Sequence, residues 1–151
     1  MHLLEKNPDK IDWGWLSTNP AAIHLLENNL DKINWTWLSG NPAAVRLLEK
    51  NQEKIDWYWL SLNPAAIRLL EKNSDKIDWK WLSKNPAAIK LLEKNIDKIN
   101  WDLLSVNPNS KASWLLEIHP DKINWYRLSS NPEIFETDLS KIKQIETFLA
   151  K

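Results

Sequence analysis

The 151-residue chain contains no cysteine, which removes disulfide staples, thiolate nucleophiles and sulfur-ligated zinc together. Its 2 glycines, Gly14 and Gly40, are too few and too far apart for a phosphate-cradling loop. Neither sign of charge is in excess: 20 basic and 20 acidic side chains give a net charge of +0, so no overall field favours nucleic acid or an anionic membrane. No apolar run approaches the roughly 20 residues of a membrane-spanning helix. The opening "MHLLEKNPDKIDW" lacks the basic and apolar regions of a secretory leader. The expectation is a cytoplasmic protein, in which the triplet Asn34-Trp35-Thr36 is a by-product of repetition and not a glycosylation acceptor.

What is present is tryptophan, 11 against 2 phenylalanines and 2 tyrosines, and its placement is periodic. Asn-Pro begins at residues 19, 41, 63, 85 and 107, a step of 22, and then at 131, a step of 24. Leu-Leu-Glu begins at 3, 25, 47, 69 and 91 and, after the same two-residue slip, at 115. The length suits one domain, and a fixed short period identifies it as a repeat array. The array divides into a truncated first unit (1–18), 22-residue units over 19–106, a unit with a two-residue insertion (107–130) and a closing segment (131–151).

Each unit reads as two short helices. Asn85 is a good N-cap, and Pro86 fits the first helical position, where its missing N–H has no partner to lose. Ala88, Ile89, Leu91 and Leu92 then form one apolar stripe. Asn95 suits a left-handed residue just past the helix end. In the second segment Ile77, Trp79 and Trp81 alternate as a strand would. The alternation fails at Leu103 and Arg127, however, whereas a Trp and a Leu three residues apart persist in every unit. A helix capped by Asp78, or by Asn in other units, fits better. A leucine-rich-repeat horseshoe is the rival, but its Leu-x-x-Leu-x-Leu signature is missing and a proline recurs where a strand would suffer.

Such short helices are unstable alone, so every unit must bury its apolar face against its neighbours. The expected fold is all-α: a short-helix αα solenoid, or superhelical repeat array, with a C-terminal capping helix. Trp13, Trp35, Trp57, Trp79, Trp101 and Trp125 share one unvarying position and are expected to form an aromatic core spine. The second tryptophan, at 15, 37, 59 and 81, is replaced by Leu103 and Arg127 and is expected to be partly exposed. Ile134, Leu139, Ile142, Ile145 and Leu149 give the closing segment an apolar helical stripe. The first unit begins in mid-helix, so the expectation is either a fragment of a longer array or an open first face at Leu3 and Leu4.

The recurring "LSxNPxAIxLLExNxDKIxW", from Leu3 to about Lys143, resembles the tandem short repeats of proteins from giant nucleocytoplasmic DNA viruses of the Mimivirus and Phycodnavirus kind, and the terminal "NPEIFE" is similar to the way such arrays end. The resemblance implies a viral protein in the cytoplasm of an infected cell. It implies little about activity. Two features depart from the pattern: alanine follows Asn-Pro in four units, where asparagine is frequent in the family, and the Trp-x-Trp pair is unusually regular.

Chemistry finds few candidates. His2 and His24 occupy equivalent positions about 10 Å apart, the spacing of packed helices, too far to share a metal. Arg46, Arg68 and Lys90 continue the same column, which marks it as a polar row facing solvent. Asp9 and Asp12, or Asp75 and Asp78, recur as Asp or Asn, and capping explains that better than acid–base work, since asparagine transfers no proton. Glu49, Glu71 and Glu93 neutralise the basic row along the same helices, which disfavours nucleic acid. No Ser/His/Asp arrangement or cofactor motif emerges, so the expectation is a non-enzyme without cofactor.

Variation within the array points to binding. Gly14, Thr36, Tyr58, Lys80, Asp102 and Tyr126 share one position. Thr18, Gly40, Leu62, Lys84, Val106 and Ser130 share another, four residues on. On a helix these columns form a ridge whose chemistry changes from unit to unit. The first expectation is therefore a protein-interaction scaffold with a ridge at Tyr58, Lys80, Leu62, Lys84 and Tyr126. The alternatives are end-to-end self-association through Leu3 and Leu4, giving a homo-oligomer, and carbohydrate stacking on Trp37, Trp59 and Trp81.

Overall fold

The computed structural model describes residues 2–134. Among them are twelve short α-helices, joined mostly by three-residue 3-10 turns, and no strand. The fold is all-α and built from repeating helix pairs, so the horseshoe with a strand per unit is excluded. The closing stripe of Leu139 to Leu149 lies outside the described residues. Two compact units divide the chain, Met1–Ile77 and Asp78–Lys151, and each is a stack of the same motif.

The helices start where the caps require. Asp56 begins Trp57–Leu62 by accepting a hydrogen bond from the Trp59 N–H at 3.2 Å, and Asn34 caps Trp35–Ser39 through the Trp37 N–H. Asn41 accepts from the Ala43 N–H to open the 3-10 turn Pro42–Ala44, which runs directly into Val45–Lys50. Asn85 does the same for Pro86–Ala88 and Ile89–Glu93. One repeat is therefore a bent Pro-initiated helix, a 3-10 corner and a short tryptophan helix.

The helix ends depart from expectation. Asn51, Asn73 and Asn95 have φ of −132°, −128° and −137°, and no described non-glycine residue has positive φ. Each of these side chains folds back instead, and its amide donates to the carbonyl four residues earlier, at 2.8 Å to Leu47, 2.9 Å to Leu69 and 2.8 Å to Leu91. The side chain satisfies the orphan carbonyl that a left-handed cap would otherwise serve.

The core is leucine and alanine. In the first unit Leu26, Leu38, Leu48, Leu60, Ala44 and Ala66 are fully buried, as are Leu82, Leu92, Leu104 and Leu115 in the second. The expected aromatic spine is absent. Trp13, Trp35, Trp57, Trp79 and Trp101 are only half-buried, and Trp125 is 65% exposed. Each begins a helix, so its ring lies at the edge of the layer and not between layers.

The spine is polar. Asn63 Nδ2 donates to the carbonyls of Ser39 and Asn41, both at 3.0 Å, and Asn41 Nδ2 donates to that of Ser17 at 3.0 Å. In the second unit Asn107 Nδ2 reaches the carbonyls of Ser83 and Asn85, and Asn131 Nδ2 those of Ser105 and Asn107. The serines relay the same connection: Ser39 Oγ donates to the Trp35 carbonyl and accepts from the Asp56 N–H of the next repeat. These Asn and Ser side chains are buried and bonded, which is the condition on which polar groups are tolerated inside a protein.

The two-residue insertion is absorbed without breaking this ladder. Ser110–Glu117 is a continuous eight-residue helix in place of a 3-10 turn and a shorter helix. Asn109 caps it through the Lys111 N–H and donates from Nδ2 to the Pro86 carbonyl at 2.6 Å.

Candidate functional site

The residues on the surface of the first unit converge on one groove. The helices Trp13–Thr18, Trp35–Ser39 and Trp57–Leu62 place Trp15, Trp37 and Trp59 side by side, and Thr18, Gly40 and Leu62 close the other wall, with Asn41 at the floor. This open groove has a volume of about 460 Å³. Trp15 is 68% exposed and packs edge-on against Trp37, ring centroids 5.2 Å apart.

Two glycines lie against these indoles. A Cβ built on Gly14 would lie 3.4 Å from Trp37 Cζ3, and one on Gly40 3.4 Å from Trp59 Cε3. The indole of each following repeat therefore rests against the glycine of the one before. Neither glycine has positive φ, and a Cβ at Gly40 would make ordinary van der Waals contact with the Trp59 indole.

Two sets of residues that sequence reading kept apart thus share one site. Leu62 of the ridge and Trp37 and Trp59 of the tryptophan row line the same groove, whereas Tyr58 stands outside the lining and packs edge-on against Trp59 at 5.4 Å. Thr18 and Gly40 belong to the variable column that sequence reading placed on the ridge, whereas it assigned Trp15 and Asn41 to no site.

In the second unit Lys80 and Lys84 are exposed and Trp81 is half-buried. Lys80 Nζ lies 5.5 Å from the centre of the Trp81 ring. Tyr126 is 91% exposed and, with Val106, Arg127, Ser129 and Ser130, borders a shallow cleft of about 620 Å³. Leu3 and Leu4 lie exposed on the short helix His2–Glu5.

The half-buried tryptophans carry a separate pattern. Lys54 Nζ sits 4.8 Å over the Trp35 ring and Lys76 Nζ 5.0 Å over that of Trp57. In the second unit Lys98 sits 4.6 Å over Trp79. Each lysine comes from the 3-10 corner of the following repeat. Such contacts contribute about 0.5–1 kcal/mol at exposed sites, and they give three of these half-buried tryptophans a surface partner from the next repeat. Trp101 instead meets His119, centroids 4.9 Å apart.

Among the described residues no group of three or more His, Asp or Glu side chains could hold a metal ion, and no described helix is long and apolar enough to cross a membrane. No protein-family model, curated protein or solved structure matches this chain.

Proposed function

We propose that the chain is a non-enzymatic scaffold that binds a protein partner, and that the groove of the first unit receives an extended, apolar segment of it. The observation that carries this reading is the lining: three indoles and Leu62 around about 460 Å³. Exposed aromatic and aliphatic side chains around a concavity are the usual anchors of protein recognition.

The polar atoms of the groove favour a peptide over a sugar. Asn41 uses Oδ1 on the Ala43 N–H and Nδ2 on the Ser17 carbonyl, and Thr18 Oγ1 donates to the Trp15 carbonyl. A glycan stacked on Trp37 and Trp59 would bury hydroxyls against side chains already engaged, at the cost that unpaired polar groups carry. In this reading the setting is the cytoplasm and, on the resemblance of the repeats, that of a virus-infected cell.

The test is selection of binders from a displayed library of random peptides, followed by titration against the parent chain and against Gly40→Leu and Trp59→Ala. Selected peptides rich in aliphatic and aromatic residues that lose binding in both variants support the proposal. Binding unaffected by either variant overturns the groove. Oligosaccharides that shield the indoles from acrylamide while peptides do not would favour the carbohydrate reading. Growth of mass with concentration in light scattering, abolished by Leu3→Lys with Leu4→Lys, would favour self-association.

A further inference from the structure

The polar groups of the first unit's groove are unevenly used. Asn41 engages both ends of its amide, and Thr18 Oγ1 donates to the Trp15 carbonyl. Among the described residues, by contrast, nothing accepts from the indole N–H of Trp15, Trp37 or Trp59. Trp15 and Trp59 are exposed. Trp37 is half-buried without enclosing its Nε1, since the one enclosed and unbonded polar side-chain atom among the described residues that are not exposed is His119 Nε2. Any occupant that covers these indoles has to supply acceptors, because a tryptophan N–H removed from water needs a partner. The lining side chains offer acceptors in return only at oxygens already bonded, those of Thr18 and Asn41.

Resting on the groove assigned above, we infer that its occupant is a proline-rich segment of the partner in the polyproline II conformation. Each proline presents a free carbonyl and no N–H, the complement of a row of donors. An α-helix bonds its interior carbonyls within itself and would cover the indoles without pairing them. An extended strand brings an N–H at every residue, and the described residues contain no strand to whose edge it could add. Proline also arrives with its conformation set, so little ordering entropy opposes binding.

The period of the array agrees with this choice. The helices Trp13–Thr18, Trp35–Ser39 and Trp57–Leu62 pack in succession within the first unit, and each contributes one indole to the groove. Packed helices lie about 8–10 Å apart. One turn of polyproline II is three residues and about 9 Å, so every third residue of the segment meets the next repeat with the same face. Alternate residues of a strand recur at about 6.7 Å, and an α-helix with its 5.4 Å pitch falls in step only at about every second turn.

The experiment titrates the full chain with an acetylated, amidated nonaproline, three turns for three repeats. Proline-free peptides of the same length, one helical and rich in alanine and leucine, one extended and rich in threonine and valine, are titrated in parallel. Indole N–H resonances are followed in nitrogen-15 correlation spectra and assigned by single Trp→Phe changes. Nonaproline should move the resonances of Trp15, Trp37 and Trp59 saturably to higher frequency, leave the other indoles in place and bind at least tenfold more tightly than either control. Gly40→Leu should abolish this binding, and Trp59→Phe, which keeps a ring and removes the donor, should weaken it roughly threefold to tenfold, the worth of one hydrogen bond. The spectra are taken on the parent chain, so they stand whether or not a variant folds. Proline-free peptides that move the same indoles and bind as tightly as nonaproline uphold the groove and overturn its proline-rich occupant. Nonaproline that leaves these three indoles in place overturns it as well. Failure of every peptide, including those selected from the library, to bind in a manner sensitive to Gly40→Leu overturns the groove itself.

Discussion

The amide of Asn63 donates to the backbone carbonyls of Ser39 and Asn41, both 3.0 Å away and 24 and 22 residues earlier. Its other end accepts the Ala65 N–H that opens the next helix. One buried side chain thus starts its own repeat and fastens it to the previous one. Asn63→Leu should cost about 2–4 kcal/mol, since buried polar partners left unpaired cost about 1–3 kcal/mol each, read as a lower urea midpoint. The equivalent change Asn19→Leu removes an exposed cap and should cost about 1 kcal/mol.

His119 stands where Asn29, Asn51, Asn73 and Asn95 stand in other repeats. Those asparagines return a hydrogen bond to the carbonyl four residues back, whereas His119 Nε2 is buried without a partner. His119→Asn should restore the cap and raise stability by about 0.5–1.5 kcal/mol, the net worth of one such bond, visible as a higher melting temperature.

Gly40 has φ −81° and ψ −11°, a conformation open to any residue, and its Cβ would make ordinary contact with Trp59. Gly40→Ala should therefore stabilise the chain by about 0.4–1 kcal/mol through the unfolded state. Gly40→Leu should leave the fold intact, because Leu62 occupies the same position one repeat on, while filling the groove. Thermal melts together with peptide titration separate the two effects.

Lys76→Met keeps the apolar stem of the side chain and removes the charge over Trp57. A loss of about 0.5–1 kcal/mol is expected. The paired variant Lys76→Met, Trp57→Leu in a double-mutant cycle isolates the contact. No coupling between the two changes would mean that the ring and the ammonium are neighbours without attraction.

Much of the fold was legible because repetition averages out local ambiguity. One copy of "DKIDWKWLS" reads as strand or helix, but Leu103 and Arg127 in later copies settle it, and Asp or Asn before the tryptophan supplies the cap that the structure uses. The asparagine ladder was not legible. Asn85 reads as an N-cap, which it is, but the second role of its equivalents Asn63 and Asn107, as donors to carbonyls 22 residues away, depends on stacking distance, which no local pattern contains. Trp13 and its equivalents misled for a related reason. An unvarying residue in an array can meet a repeated neighbour at the surface instead of a core, as Trp35, Trp57 and Trp79 meet the lysine of the next repeat. The groove was half legible: its indoles and Leu62 were singled out for different roles, and only the packing against Gly14 and Gly40 joins them.

The ladder has a consequence for how such a chain changes over generations. Its acceptors are main-chain carbonyls, which every amino acid supplies, and its donor travels within the same 22-residue block that presents the next acceptors. A block duplicated or deleted whole would bring its own rung and leave a complete one behind, so the array could lengthen or shorten by unequal exchange between copies without a compensating substitution. The extra pair of residues between Pro108 and Leu115, taken up in a longer helix while Asn131 still reaches Ser105 and Asn107, shows that even an imperfect copy can be accommodated.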